Sequence, residues 1–181
     1  MTDQELLQHL KENFVYDAAL GEFYRTRCYN NQLDLSKPAG YVTDDGYIRI
    51  EIDGASYLAH RLVHLLMLGR MPCDGYVIDH VDMNKVNNVP SNLRELPRKF
   101  NTFNIRRDLE TRYKCITYDE RNAYRRWYAR LAFDGKQRLC KYFATFEEAQ
   151  LAVDAIVNEC HALLSQQFPT IAELKTVECL L

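Results

Sequence analysis

Asp79 and His80 stand side by side at the end of a short β-type run, Tyr76-Val77-Ile78, and Asn92 and Asn101 follow twelve and twenty-one residues after His80. Hydrolysis of a phosphodiester needs a base to activate water, positive charge on the scissile phosphate, and help for the leaving 3′ oxygen. A neutral imidazole supplies the base near pH 7. A divalent cation such as Mg²⁺ or Mn²⁺ supplies the charge, held by one or two protein oxygens and otherwise by water and phosphate. Successive residues of a strand point to opposite sides. Asp79 and His80 can therefore diverge, one toward a cation and one toward water, across a single phosphate. On this reading His80 is the candidate base, and Asp79 and Asn101 are the candidate metal ligands. Either residue of the Asp-His pair alone would pass for a solvated strand end; the spacing of the whole set makes the pattern.

Other polar residues fit blander roles. Asp82, Asn84 and Asn88 hint at Ca²⁺, but the glycine and the terminal glutamate of an EF-hand loop are missing, so the stretch reads as a plain loop. His60 and His64 lie on or beside a leucine-rich segment, where packing or surface roles suffice, although His60-Arg61 could touch a DNA backbone. His9 and His161 read as structural or exposed. The six cysteines, Cys28, Cys73, Cys115, Cys140, Cys160 and Cys179, form no C-x-x-C pair, which fits free thiols in a reducing compartment better than zinc or a disulfide framework.

The elements that must position these groups follow from periodicity. Thr2-x-x-Glu5 is a capping box, and Leu6, Leu7, Leu10 and Phe14 recur at helical spacing after it. Phe23-Tyr24 and Ala39-Gly40-Tyr41 suggest short strands. Tyr47 to Ile52 alternate with period two and meet Asp53-Gly54, a hairpin signal, with a return strand at 55–58. Leu62, Val63, Leu65, Leu66 and Leu68 form an apolar helix that should end at Gly69. Strand 76–80, a loop rich in Asp and Asn, a return strand at 93–96 and a helix from about 98 to 106 then make a strand–loop–strand–helix unit. Beyond a charged linker at 106–112, strands near 116–118, 127–133 and 136–143 precede a second capping pattern, Thr145-x-x-Glu148. The helix that follows carries Phe146, Ala149, Val153, Ile156 and Cys160 on one face. Trp127, Ala129, Leu131 and Phe133 share the sheet face toward that helix, while Tyr128 and Arg130 face away.

The expected fold class is therefore α+β. A ββα-metal type core at 57–108 sits between an N-terminal helix and hairpin region at 1–56 and a three-stranded sheet packed on one helix at 113–164, with a tail at 165–181. The chain has 181 residues and a net charge of −2, but the charge is uneven. Residues 94–141 hold fourteen Lys and Arg against six Asp and Glu, and the remainder holds nine against nineteen. A basic block inside an acidic chain suits phosphate binding. No apolar run approaches a membrane span, the polar start Met1-Thr2-Asp3-Gln4-Glu5 does not suit a secretory signal, and a cytoplasmic location is expected.

Two resemblances sharpen this reading. Ile78-Asp79-His80-Val81-Asp82-x-Asn84-x-x-Asn87-Asn88-x-x-x-Asn92-Leu93-Arg94, followed by Asn101 and Asn104, resembles the HNH endonucleases of phages and mobile introns. The hairpin at 46–54 and Ala59-His60-Arg61-Leu62 are similar to that family as well, so the likeness runs over about 40–104, with Asn101 in place of the final His of the signature. The resemblance implies that His80 is the general base, that Asp79 and Asn101 bind one divalent metal, and that Asn92 fixes the loop and orients the His ring. It also implies products with a 5′ phosphate and a 3′ hydroxyl. Arg61 and Arg94 are expected to contact DNA. Residues 113–164 resemble the ethylene-response-factor (APETALA-like) DNA-binding domain through Trp127-Tyr128-Ala129-Arg130-Leu131, Asp134-Gly135-Lys136, Tyr142-Phe143-x-Thr145-x-Glu147-Glu148-Ala149 and Ala152-x-Asp154. Cys115 and Lys141 stand where that family has glycines. The resemblance implies that the exposed sheet face enters the major groove of double-stranded DNA, with Lys114, Arg125, Arg126, Tyr128, Arg130 and Lys141 as contacts. No obligate protein partner is evident. The rival expectation is a catalytically inactive, sequence-specific DNA-binding regulator.

Overall fold

The protein is described here by a computed structural model, covering residues 1–27, 35–104 and 113–178. Cys28, Cys179 and the whole charged linker at 106–112 lie outside the described residues. The chain is α+β and divides into two compact units, one of residues 1–96 and 169–181 and the other of residues 97–168.

The first unit opens with α1 (Asp3–Asn13), whose N-cap Thr2 and Glu5 form the expected capping box. Its buried Leu6 and Leu10 meet Phe14 and Phe23 of a hairpin, β1 (Phe14–Asp17) and β2 (Glu22–Arg25). The sequence gives little sign of β1, because Phe14 serves both as the last apolar helix position and as the first residue of the strand. A three-stranded antiparallel sheet follows, β3 (Tyr41–Val42), β4 (Ile48–Ile52) and β5 (Ala55–Leu58). Its tight turn holds Asp53 and Gly54 at φ 49° and 77°, the positive values a two-residue hairpin loop demands. Helix α2 (Ala59–Leu68) buries Leu62, Val63 and Leu65 and ends with Gly69 in the left-handed region, where a side chain would be strained. Strands β6 (Tyr76–His80) and β7 (Leu93–Pro97) pair with each other, and a 3₁₀ turn, Pro90–Asn92, leads into β7.

The second unit starts with α3 (Arg98–Asn104). Strands β8 (Ile116–Tyr118), β9 (Trp127–Phe133) and β10 (Lys136–Phe143) form an antiparallel sheet with β9 in the middle. Ala129, Leu131 and Phe133 are buried, whereas Arg130 and Ala132 are exposed. The buried face packs on α4 (Phe146–Gln167), a 22-residue helix capped by Thr145. Its inward row is Ala149, Val153, Val157, Cys160 and Leu164; Val157 takes the core position expected of Ile156, which is half-buried.

Residues 165–178 are structured. They complete α4 and then form α5 (Ile171–Glu178), whose Ile171 is fully buried in the core of the first unit. Ile171, Leu174 and Val177 recur at three-residue spacing over barely two turns, a stripe too short to say that the segment returns to the first unit, which only the fold reveals. Among the described residues Cys73, Cys115, Cys140 and Cys160 form no disulfide. No helix is long and apolar enough to cross a membrane among the described residues.

Candidate functional site

Strand β6 runs from exposed Tyr76 to three consecutive buried residues, Ile78, Asp79 and His80. Two adjacent polar side chains this deep need partners, and the structure supplies a different one for each. Asp79 Oδ2 accepts from Arg94 Nε at 3.0 Å and lies 2.9 Å from an Arg94 terminal nitrogen. Both residues are almost fully buried, Arg94 at 1% exposure. An arginine without surface cannot meet a DNA phosphate, so Arg94 is corrected from a DNA contact to the counter-ion of Asp79.

His80 is bound from the other side. Its Nε2 lies 3.1 Å from Asn88 Oδ1. The His60 ring meets it edge-on at 5.2 Å between centroids, and Tyr47 is 6.0 Å away. Burial pushes the His80 pKa below the usual imidazole value, against the opposing pull of Asn88, Asp79 and Asp82. A neutral imidazole, the form a base requires, therefore persists at neutral pH. Burial, with smaller contributions from His80 and Arg61, takes His60 down to about 3, so His60 adds no charge beside His80. The Nδ1 of His60 is buried without a hydrogen-bond partner among the described residues.

The connecting loop is a closed network of amides. Asn92 Oδ1 accepts from the Asp82 N–H at 2.9 Å; its Nδ2 donates to Asp82 Oδ1 and to the Asn87 carbonyl, both at 2.8 Å. The Asn87 amide donates to Asp82 Oδ2 at 2.6 Å, and the Asn84 N–H donates to Asp82 Oδ1 at 2.8 Å. Burial alone would raise the Asp82 pKa; the donors from Asn87, Asn84 and Asn92, together with His80, more than offset it and hold the carboxyl below its usual range. The loop thus satisfies the Asp82 carboxylate from within. The Val81 N–H donates to the Asn92 carbonyl at 2.8 Å and closes the base of the loop. Asn92 fixes the loop, as the resemblance implies, but both ends of its amide are engaged there, and the residue that hydrogen-bonds the His80 ring is Asn88.

Asp79, His80, Asn88, Asn92 and Arg94 are thus brought together in the first unit, and Asn101 lies half-buried on α3 of the second. Arg61 is exposed in the first turn of α2, next to buried His60. His64 is fully buried, with Nδ1 2.8 Å from the Arg70 carbonyl and Nε2 3.2 Å from Glu95, a packing role as expected. Sequence reasoning missed Asn88, His60 and the Asp79–Arg94 pair. The available signal was Leu93-Arg94-Glu95-Leu96, a strand whose apolar residues and charges cannot be sorted onto separate faces by alternation.

In the second unit Lys114, Arg125, Arg126 and Arg130 are exposed and Tyr128 is half-buried. The open face carries Thr117, Tyr128 and Tyr142 in one cross-strand row and Arg130 opposite Cys140 in the next. Tyr128 and Tyr142 pack at 4.8 Å between ring centroids, and Tyr142 donates to Asp119 at 2.9 Å. Lys141 departs from the expectation. It pairs with Ala129, and directly opposed residues share a face, so Lys141 stands on the helix side of the edge strand. The cause is a β-bulge between Gln137 and Leu139, because one extra residue moves every later side chain to the other face.

An oxygen donor set of one carboxylate and one carboxamide suits Mg²⁺ or Mn²⁺, which keeps several waters of its own. Among the described residues no group of three or more His, Cys, Asp and Glu side chains is placed to hold a metal ion.

Comparison with known proteins bears on the same stretch. A protein of Acanthamoeba polyphaga mimivirus, described as an uncharacterized HNH endonuclease, is 34% identical over 104 residues, which is 49% of this chain and 54% of that protein. The chain therefore spans about half the length of this relative. A solved structure described as DNA binding and cleavage by the HNH homing endonuclease I-HmuI is similar over 76% of this chain and 75% of that one, with 21% identity and a TM-score of 0.37. Residues 57–102, which carry Asp79, His80, Asn88, Asn92, Arg94 and Asn101, match the family model described as HNH endonuclease.

Proposed function

We propose that this protein is a metal-dependent endonuclease that hydrolyses phosphodiester bonds in duplex DNA, of the phage or homing type. The observation that carries the reading is the pair at the end of β6. Asp79 and His80 are adjacent and buried, each is held by its own polar partner, and both lie inside the segment matching the HNH endonuclease model.

In this reading His80 takes a proton from a water molecule, and the resulting hydroxide attacks phosphorus. The bond to the 3′ oxygen breaks, and the departing oxygen takes a proton from solvent water, leaving a 5′ phosphate and a 3′ hydroxyl. Asp79 and Asn101 would hold a divalent cation, which when bound supplies positive charge to the phosphate and to the departing oxygen. Arg94 holds the Asp79 carboxylate in place through their ion pair, and Asn92 keeps the loop closed. Residues 113–164 serve as an ethylene-response-factor-like module gripping DNA with the open sheet face. Arg125, Arg126, Arg130 and Tyr128 are its contacts, with Lys114 and Arg61 reaching the backbone.

Incubating supercoiled plasmid with the protein tests this. Cleavage is expected with Mg²⁺ and not with a chelator, and His80→Ala should lower the rate by about 10²–10⁴-fold while DNA binding persists. Equal cleavage by both proteins would reject His80 as the base. Tight binding without any cleavage by the wild type would favour the regulator reading.

A further inference from the structure

We propose that Asn88 fixes the tautomer and ring orientation of His80, and that the N-terminal hairpin β1–β2 holds Asn88 in place for that task; only its consequence for cleavage rests on the nuclease reading. Asn88 is completely buried. Its Nδ2 donates to the Val86 carbonyl at 3.2 Å, which leaves Oδ1 turned toward His80 Nε2 at 3.1 Å. An amide oxygen only accepts. The proton of a neutral His80 must therefore sit on Nε2, and Nδ1 carries the lone pair that would receive a proton from water. His60 and Tyr47 set the walls around the ring, but ring contacts do not choose between two nitrogens. Asn92 cannot choose either, because its amide is engaged by Asp82 and Asn87.

The backbone at Asn88 is clamped from far away in the chain. Tyr16 of β1 donates its hydroxyl to the Asn88 carbonyl at 2.9 Å. Gly21, in the turn of the same hairpin, has φ +72°, and a Cβ there would stand 2.5 Å from the Val89 nitrogen and 2.7 Å from the Asn88 carbonyl carbon. Only glycine permits so close an approach of two backbones. Both residues lie outside 57–102, so the working site extends beyond the family-matched segment.

Long-range ¹H–¹⁵N correlation spectra of histidine-labelled protein at pH 8, with the His80 signals assigned by their loss in His80→Ala, read the tautomer directly. The wild type should show the proton on Nε2. Asn88→Leu, similar in size but without an acceptor, should show a mixture of tautomers, and kcat for plasmid cleavage should fall about 10–100-fold with KM for DNA unchanged. Asn88→Asp keeps an acceptor and should retain the Nε2–H pattern and recover most of the rate. Gly21→Ala should shift the spectrum toward the mixture. A wild-type His80 protonated on Nδ1 overturns the proposal, as does an Asn88→Leu protein with wild-type tautomer and kcat. Should Asn88→Leu fail to fold, the wild-type and Asn88→Asp spectra decide the matter. An unchanged spectrum in Gly21→Ala removes the hairpin from it. The spectra need no DNA. A protein with the expected tautomer that never cuts plasmid would end the nuclease reading and leave the role of Asn88 standing.

Discussion

In the loop of residues 81–92 nearly every side-chain amide and carboxylate is engaged inside the protein, whereas on the open face of β8–β9–β10 the charged groups stand in solvent. Asp82 alone receives hydrogen bonds from Asn84, Asn87 and Asn92, while Arg130 and Arg125 are exposed. The two regions are polar for different reasons. A buried polar network is strong when complete and expensive when broken, so its members should act as a unit and each substitution should be felt as folding free energy. An exposed basic face is screened and solvated. Its members should act separately and be felt in DNA affinity.

The largest break in this comparison should come at Arg94. Arg94→Met takes from the buried Asp79 carboxylate its arginine partner, and removing one partner of a buried pair costs about 3–5 kcal/mol. Urea unfolding should show that loss, and Arg94→Met combined with Asp79→Leu should recover much of it. A loss below about 1 kcal/mol would mean that the Asp79 carboxylate does not depend on this arginine.

Next is Glu95, on which Arg70, the Cys73 N–H and His64 converge. Burial would raise its pKa; those donors outweigh it and bring the carboxyl to about 2. A depressed carboxylate contributes stability above its unfolded pKa of about 4.3, and that contribution is lost as pH falls toward 2. Wild-type stability should therefore fall through this window more steeply than that of Glu95→Gln, which should also be weaker at pH 7 by about 1.5–3 kcal/mol. Parallel pH curves would remove the network.

Smaller effects are expected on the open sheet face, and in affinity alone. Arg130→Ala should weaken DNA binding by about 1–3 kcal/mol with relaxed sequence preference if Arg130 reads a base edge, or uniformly with a salt slope lower by about 1 if it meets phosphate. Unfolding curves should not move. The least effect belongs to Lys141→Ala, because that side chain stands on the helix side. A Lys141 effect equal to that of Arg130 would contradict the bulged register.

Much of this was legible in the residues. The capping boxes, the Asp53-Gly54 hairpin, the Gly69 stop and the inward row of β9 follow from rules local to a few residues, and Asp79, His80 and Asn92 stood out by spacing. What was not legible depends on register or on distant partners. Lys141 changed face through one bulge at Gln137/Leu139, which no composition rule places. Arg94 resembles any surface arginine until β7 is seen to be buried at Leu93, Arg94 and Leu96 alike. The sequence pattern points to Asn92 for both the loop and the ring; the fold leaves Asn92 the loop and gives the ring to Asn88.

The ion itself is the most direct witness. Crystals of the protein with uncut DNA and Mn²⁺, recorded at the manganese edge, should give one anomalous peak within about 2.0–2.3 Å of both an Asp79 carboxylate oxygen and the Asn101 carboxamide oxygen, and beside a phosphate that His80 faces. A manganese peak away from these two side chains, or DNA bound with none at all, would contradict the account.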